Sequence, residues 1–355
     1  MALRTSYAQD FAWFHGPGSI ARIVALIAGA AALPFVLGEY YVSQLTFVWI
    51  YAIAGLGLMI LIGYTGLVSF GQAAFLALGA YAAGILQDRG VPFIVALPAA
   101  GAVAAAAGVA IAVPALRMTG LFLAIATLAF AFIVNEALTR FSGLTRGNMG
   151  FMMPDIVIAG LKIDSERKFN LLCLAILVLC MMGAANLLRS PVGRAFIAIR
   201  DSRIAAQSMG IPVARYQTLS FAIGAGLTGI AGALFGHKLT FIMPEQFDIN
   251  VSIEMLTLVV VGGLGSLHGV IFGAAFVILL PQLISAAKPL LPAVIAGQTG
   301  LQAAVFGGIL ILFIMLEPGG LYGRWLRVKQ YLAEFPFYGA ATFQKQRSFL
   351  RSERW

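Results

Sequence analysis

Long apolar runs separated by short polar breaks make up most of this chain. A helix crosses the hydrocarbon of a bilayer with ~20 apolar residues, or fewer where its ends are thinned or broken. Ten segments meet that measure: 20–38, 42–62, 70–87, 92–113, 121–138, 169–187, 215–238, 251–265, 268–287 and 300–316. The sixth and seventh are the most clearly bounded, and glycines interrupt the eighth. The third begins poorly. In GYTGLVSFGQAAFLALGAYAAGIL, residues 63–86, Gly63, Gly66 and Gly71 weaken the helix start, while Ser69 and Gln72 bring polar groups to membrane depth.

Composition agrees with the pattern. The chain has 355 residues, of which 61% are hydrophobic and 10% charged, and its mean hydropathy is +0.94. It is read as an all-α integral membrane protein with about ten transmembrane helices. The net charge of +9 fits the cytoplasmic bias that orients such chains better than it fits nucleic acid. Cys173 and Cys180 lie in one apolar run, roughly 10 Å apart along a helix, so neither a disulfide nor a metal site is expected. The amino-terminal stretch shows no apolar core followed by a small-residue cleavage site, and is expected to be a short cytosolic tail, residues 1–19.

With both termini cytosolic, fifteen of the basic residues fall inside and eight outside, and nine of the fourteen acidic residues fall outside. The outer loop 139–168 carries five of the outer basic residues, which weakens the bias without reversing it. The layout is therefore a tail, a transmembrane domain over 20–317 with this outer loop and an inner loop at 188–214, and a basic cytosolic tail over 318–355. No stretch is long enough for a separate water-soluble domain. The alanine- and glycine-rich stretch 99–110 suits a helix packed closely on its neighbours.

A faint repeat runs through the glycine breaks. GLVSFGQAAF from Gly66 and GLGSLHGVIF from Gly263 share four of ten positions, and both stand at the inner start of an outward-running helix. Paired breaks of this kind point to a substrate route, so Gly63, Gly66, Ser69, Gly71, Gln72, Gly262, Gly263, Gly265, Ser266 and His268 are the pathway and gating candidates. The competing reading is that the glycines serve close helix packing alone.

The inner loop LRSPVGRAFIAIRDSRIAAQSMGIPVA, residues 188–214, carries helix punctuation. Ser190 and Pro191 form a start, Asp201 and Ser202 offer a second one, and Gly210 with Pro212 form a stop. An idle basic loop has no use for two starts and a stop, so two short helices are expected to present a rigid knob to a cytosolic partner. Phe196, Ile197, Ile199, Ile204 and Met209 are expected to form its apolar contact face, with arginines at the rim.

AAQSMGIP, residues 205–212, resembles the alanine-alanine, three residues, glycine signature by which ABC importer permeases dock on their ATPase subunits. The longer SPVGRAFIAIRDSRIAAQSMGI is similar to its form in branched-chain amino-acid permeases of the LivM type. The resemblance runs from about residue 42 to residue 323 through GYTGLVSFGQAAFLALGAYAAG, LRMTGLFLAIATLAFA, VVVGGLGSLHGVIFGA and FGGILILFIMLEPGGLYG. The basic, aromatic tail after Gly323 has no counterpart in the usual family ending, and is expected to lie on the inner leaflet or against the ATPase.

The resemblance implies a multi-pass protein of the bacterial inner membrane. It implies a coupling loop centred on Ser190, Gly193, Arg194, Arg200, Asp201, Arg203, Ala205, Ala206 and Gly210. It also implies two cytosolic ATPase subunits, a second homologous permease and a periplasmic substrate-binding protein. Cargo would be a branched-chain or other neutral amino acid; urea, short amides and aromatic acids travel through similar permeases, and a ribose-type sugar permease shares the glycine-rich style.

Enzymatic chemistry is not expected. There is no phosphate-cradling G-x-x-x-x-G-K-[ST] run, so no cofactor is expected on this chain, and ATP with Mg is left to the partners. No HExxH, Cys-x-x-Cys or GxSxG occurs, and His15, His237 and His268 are scattered, so no metal site is expected. An ion-coupled carrier or channel would keep carboxylates in mid-membrane. Here Glu136 and Glu254 are read as interfacial, and Asn135 as bonded to a neighbouring helix. A scaffold subunit with no transport role completes the set of alternatives.

Overall fold

The computed structural model describes residues 17–334 except 116, 117, 119, 159, 288–300, 317 and 318. Most of the amino-terminal tail expectation and the part of the carboxyl-terminal one beyond 334 lie outside the described residues.

The architecture is helical. In order it runs α1 (Pro17–Val36), α2 (Glu39–Leu58, continued by a π-helical turn Met59–Tyr64), α3 (Gln72–Asp88), α4 (Phe93–Ala115) and α5 (Leu121–Arg140). After a four-residue helix α6 (Ser142–Thr145) come α7 (Glu166–Arg189), α8 (Pro191–Asp201), α9 (Arg203–Ser208) and α10 (Val213–Leu239). The chain continues as α11 (Ile249–Gly262), α12 (Leu267–Ala287), α13 (Leu301–Leu316) and α14 (Gly320–Glu334). Only helices and closed barrels satisfy every backbone group in hydrocarbon, and this apolar chain takes the first course.

Among the described residues, six helices are long and apolar enough to cross a membrane: Glu39–Tyr64, Phe93–Pro114, Leu121–Arg140, Glu166–Arg189, Val213–Leu239 and Leu267–Ala286. Four further predicted spans hold helices that fall short by length or apolar run. α3 has 17 residues, α11 has 14 and α13 has 16, while the apolar part of α1 is Val24–Val36. α11 therefore reaches ~21 Å, against a hydrocarbon thickness of ~30 Å.

The 139–168 loop departs from a purely helical reading. Phe151–Met152 (β1) pairs antiparallel with Phe241–Ile242 (β4), and Val157–Ile158 (β2) with Leu161–Lys162 (β3). These two-residue strands are too short to leave a period-2 pattern. β1 and β4 join the segments that follow α5 and α10.

α10 is the centre of the bundle, packed most extensively on α4, α3 and α2. Small residues make that possible. A methyl added at Gly79 of α3 would lie 2.0 Å from the Gly229 carbonyl oxygen of α10, and one at Gly57 of α2 would lie 2.3 Å from that of Gly224. Backbones in contact have no side chain between them to yield. α2 is itself almost wholly buried from Val48 to Leu61.

At the end of α10 away from the 188–214 loop, Lys238 is nearly enclosed, its side chain 5% exposed, and its Nζ stands 2.6 Å from Glu166 Oε2. The same ammonium lies 5.6 Å from the centroid of the Phe47 ring. The pair clips the end of α10 to the start of α7.

Candidate functional site

The inner loop is two capped helices inserted without slack between α7 and α10. Ser190 Oγ accepts the Val192 N–H at 3.2 Å and donates to the Leu187 carbonyl at 2.6 Å, while Pro191 takes the first helical position. Gly193 sits so close to the preceding helix that a Cβ would be 2.3 Å from the Leu188 carbonyl oxygen. Ser202 Oγ accepts the Ala205 N–H at 3.2 Å and starts α9. The helix closes with Gly210 at φ +81° and an Ile211 N–H bond to the Ala206 carbonyl at 3.1 Å.

The apolar residues of this loop divide between two directions. Phe196 and Ile199 are buried, with Phe196 edge-on to Tyr216 of α10 at 6.3 Å and Ile199 clustered with Ala206 and Val213. They are the root of the knob, which corrects their assignment to its contact face. Ile204 and Met209 remain outward, 80% and 85% exposed. Ala205 is exposed beside them and Ala206 turns inward. Arg194 reaches back to the Arg189 carbonyl at 3.3 Å, and Arg203 begins α9 on the exposed side.

Arg200 is the residue that leaves the loop. Its Nη1 donates to the Gly63 carbonyl at 2.8 Å, while Nε and Nη2 hold Asp201 Oδ1 at 3.2 and 3.1 Å. Asp201 thus orients Arg200, and the second capping point belongs to Ser202. The stem of Arg200 runs beside the exposed Gly66, where a Cβ would be 3.3 Å from Arg200 Cγ.

Beneath Arg200 the two glycine breaks meet. Tyr64 Oη donates to the Gly265 carbonyl at 2.8 Å, the Gly265 N–H points at Met59 Sδ at 3.3 Å, and a Cβ on Gly63 would be 2.9 Å from Gly265 N. The π-helical turn Met59–Tyr64 supplies three of these groups. Wider turns of this kind free backbone carbonyls from the regular ladder and recur at functional sites.

The second break is also held from the carboxyl side. Gly263 has φ +110°, and a Cβ on Gly320 would be 2.5 Å from Gly263 Cα, so α14 starts directly on the turn. His268 stacks on Tyr322 with ring centroids 5.9 Å apart. Ser266 Oγ accepts the Gly269 N–H at 3.1 Å and caps α12. Gly262 and Gly269 touch backbone to backbone: a Cβ on Gly262 would be 2.3 Å from the Gly269 carbonyl oxygen.

Ser69, Gly71 and Gln72 lie apart from this junction, in a second, deeper group. The irregular backbone before α3 borrows partners from neighbouring helices. Phe70 N–H donates to Thr127 Oγ1 at 3.0 Å, Gly71 N–H to Ser69 Oγ at 3.3 Å, and Ala73 N–H to Ser252 Oγ at 3.0 Å. Gln72 is fully buried and its Oε1 accepts from Thr228 Oγ1 at 2.8 Å. Non-helical backbone survives in a bilayer where protein groups satisfy it like this. Gly71 and Gly262 are tightly packed against main chain, a Cβ on Gly71 being 2.9 Å from the Thr127 carbonyl oxygen, and Gly63, Gly66 and Gly265 lie around Arg200.

Several partners escaped sequence reasoning: Met59, Tyr64, Thr127, Thr228, Ser252 and Tyr322. Tyr64 had a signal, since a hydroxyl between Gly63 and Thr65 at a helix end needs an acceptor. The others sit in apolar runs with nothing local to mark them. Of the carboxylates, Glu136 is exposed and pairs with Arg140 one turn on, and Glu254 accepts from Tyr51 Oη at 3.2 Å. Asn135 donates to the Pro244 carbonyl at 2.8 Å, at the first residue of the short 3₁₀ helix Pro244–Gln246 between α10 and α11. Among the described residues no cluster of three metal-ligating side chains occurs.

The family model for the branched-chain amino acid transport system, permease component, matches residues 40–314. The chain is 33% identical to the high-affinity branched-chain amino acid transport system permease protein LivM of Escherichia coli, over 84% of this chain and 74% of that protein. It is 24% identical to the permease protein LivH of the same transport system in Escherichia coli, over 77% and 91%. A probable LivM of Methanocaldococcus jannaschii is 23% identical over 77% and 90%. No solved structure matches the chain. A match running from α2 to α13, through both glycine breaks and the capped loop between them, makes this chain a membrane-embedded member of the branched-chain amino acid transport permease family.

Proposed function

We propose that the chain is a transmembrane permease subunit of an ABC importer for branched-chain or other neutral amino acids, acting in a bacterial plasma membrane. In this reading the ten helical segments each cross the bilayer, the short ones ending in irregular backbone, and both termini are cytosolic. Two ATPase subunits bind α8 and α9, with Ile204 and Met209 as the outward apolar contacts. A second homologous permease completes the passage, and a periplasmic binding protein delivers the cargo.

One observation carries the proposal: Arg200 joins the capped loop to Gly63 and packs beside Gly66, at the point where the two glycine breaks touch. Movement of the loop therefore reaches two helix ends through a hydrogen bond and a packed stem. The chain has no phosphate loop of its own, so the ATP that drives the movement is held by the partners. Weak cargo contacts in the passage leave selectivity to the binding protein.

Co-purification tests it. A tagged chain should carry an ATPase subunit with it, and Ile204→Asp with Met209→Asp, or Gly210→Pro, should release that subunit. A cysteine placed at Ser202 should react with impermeant reagent from the cytosolic side. Transport with no ATPase in the complex, or labelling of residue 202 from outside, would overturn the reading.

A further inference from the structure

We infer that α14 lies along the inner surface of the bilayer and gathers anionic phospholipid there. The inference rests on the proposed reading only in taking the turn at Gly263 to face the cytosol.

Residues 324–329 of α14 are all exposed, yet they are not uniformly polar. Leu321, Trp325 and Val328 recur at the spacing of one helix face, and Arg324 and Arg327 follow a different stripe. A helix of this kind, with an indole on one side and arginines on another, is suited to lie in the plane of an interface. Trp325 is 54% exposed and Val328 45%.

The position of Trp325 identifies what covers it. Its ring lies 6.4 Å from that of Phe272, which is 41% exposed on α12, a helix long and apolar enough to cross the membrane. Phe272 stands five residues inside that helix, ~8 Å along its axis, so it faces acyl chains just below the headgroups. The indole therefore continues the lipid-facing surface of α12 upward to the headgroup level, where tryptophan is enriched. Arg324, Arg327 and Lys329 add positive charge at that level, which favours anionic lipid over zwitterionic.

The start of α14 is fixed to the gating turn. Gly320, at φ +68°, is wedged on Gly263, and Tyr322 stacks on His268. Lipid bound along α14 thus steadies the same turn whose Gly265 meets Tyr64 beneath Arg200.

The test uses the full chain with Trp325 as its one tryptophan (Trp13, Trp49 and Trp355→Phe), reconstituted in vesicles of phosphatidylcholine with and without phosphatidylglycerol. Emission should be quenched by phospholipid brominated high on its acyl chain and not by aqueous iodide. Brominated phosphatidylglycerol should quench more than brominated phosphatidylcholine at equal fraction, a preference that falls roughly fivefold for each arginine neutralised in Arg324→Gln and Arg327→Gln. Trp325→Tyr in the otherwise unaltered chain, read as loss of lipid-quenchable emission, gives the same information without touching buried Trp49. Iodide quenching in the bilayer, equal quenching by the two lipids, or loss of lipid quenching when ATPase subunits are added would overturn the inference. Cytosolic labelling at Ser202 alongside iodide quenching would show that this inference fails while the permease reading stands.

Discussion

Replacing Arg200 by alanine should uncouple ATP hydrolysis from transport. The substitution removes the 2.8 Å donor to the Gly63 carbonyl and the stem packed beside Gly66, and leaves the exposed surface of α9 untouched. A charge-assisted hydrogen bond contributes about 1.5–3 kcal/mol. Because the Arg200 side chain is 38% exposed, solvent screening brings the figure to about 1–1.5 kcal/mol. That is close to a factor of ten. In proteoliposomes holding the complete importer, cargo moved per ATP hydrolysed should fall about tenfold, while the ATPase subunits remain bound. Arg200→Lys keeps the charge but lacks the planar fork that holds Gly63 and Asp201 together, so it should fall between the two. An unchanged ratio in Arg200→Ala would refute the assignment of Arg200 as the transmitting residue, whatever the affinity for the motor.

Two further outcomes concern stability. Gly79→Ala places a methyl 2.0 Å from a carbonyl oxygen of α10 that cannot step aside, so the purified protein should lose more than the about 1–3 kcal/mol of stability typical of overpacking, read as a lowered thermal midpoint. Gly183→Ala, on α7 with open space around it, should be neutral or slightly stabilising; equal effects would disprove backbone contact at Gly79. Glu166→Gln should cost about 1–2 kcal/mol, because it leaves the enclosed Lys238 ammonium without its counter-charge on a half-exposed partner. Lys238→Met added to it should restore most of the loss in the same melting assay, and an additive loss would argue against the pair.

Hydropathy located the helical segments because lipid imposes one simple demand, and a run such as 169–187 can meet it in one way. The same measure could not say how deep each segment sits: α11 stops at Gly262, and the polar side chains that satisfy the backbone before α3 include Thr127 and Ser252 from two other helices. The caps at Ser190 and Ser202 were visible because capping is local. The direction in which Phe196 and Ile199 face was not, since an apolar stripe on a short helix does not say whether its partner is the parent bundle or another chain. Nor could spacing reveal that Arg200 spans 137 residues to Gly63, or that the π-helical turn prepares a free carbonyl to receive it.

α10 begins three residues after Gly210 and runs for 27 residues, a rod of ~40 Å from the capped loop to the clip at Lys238. Three neighbouring helices press their main chains against it at glycine, with nothing compressible between. Such a shaft cannot turn or tilt at one end alone. Under the proposed orientation, a displacement begun at the Gly210 end of this rod would be carried to the Lys238 end with all three packed helices, so that the two ends would share a single degree of freedom.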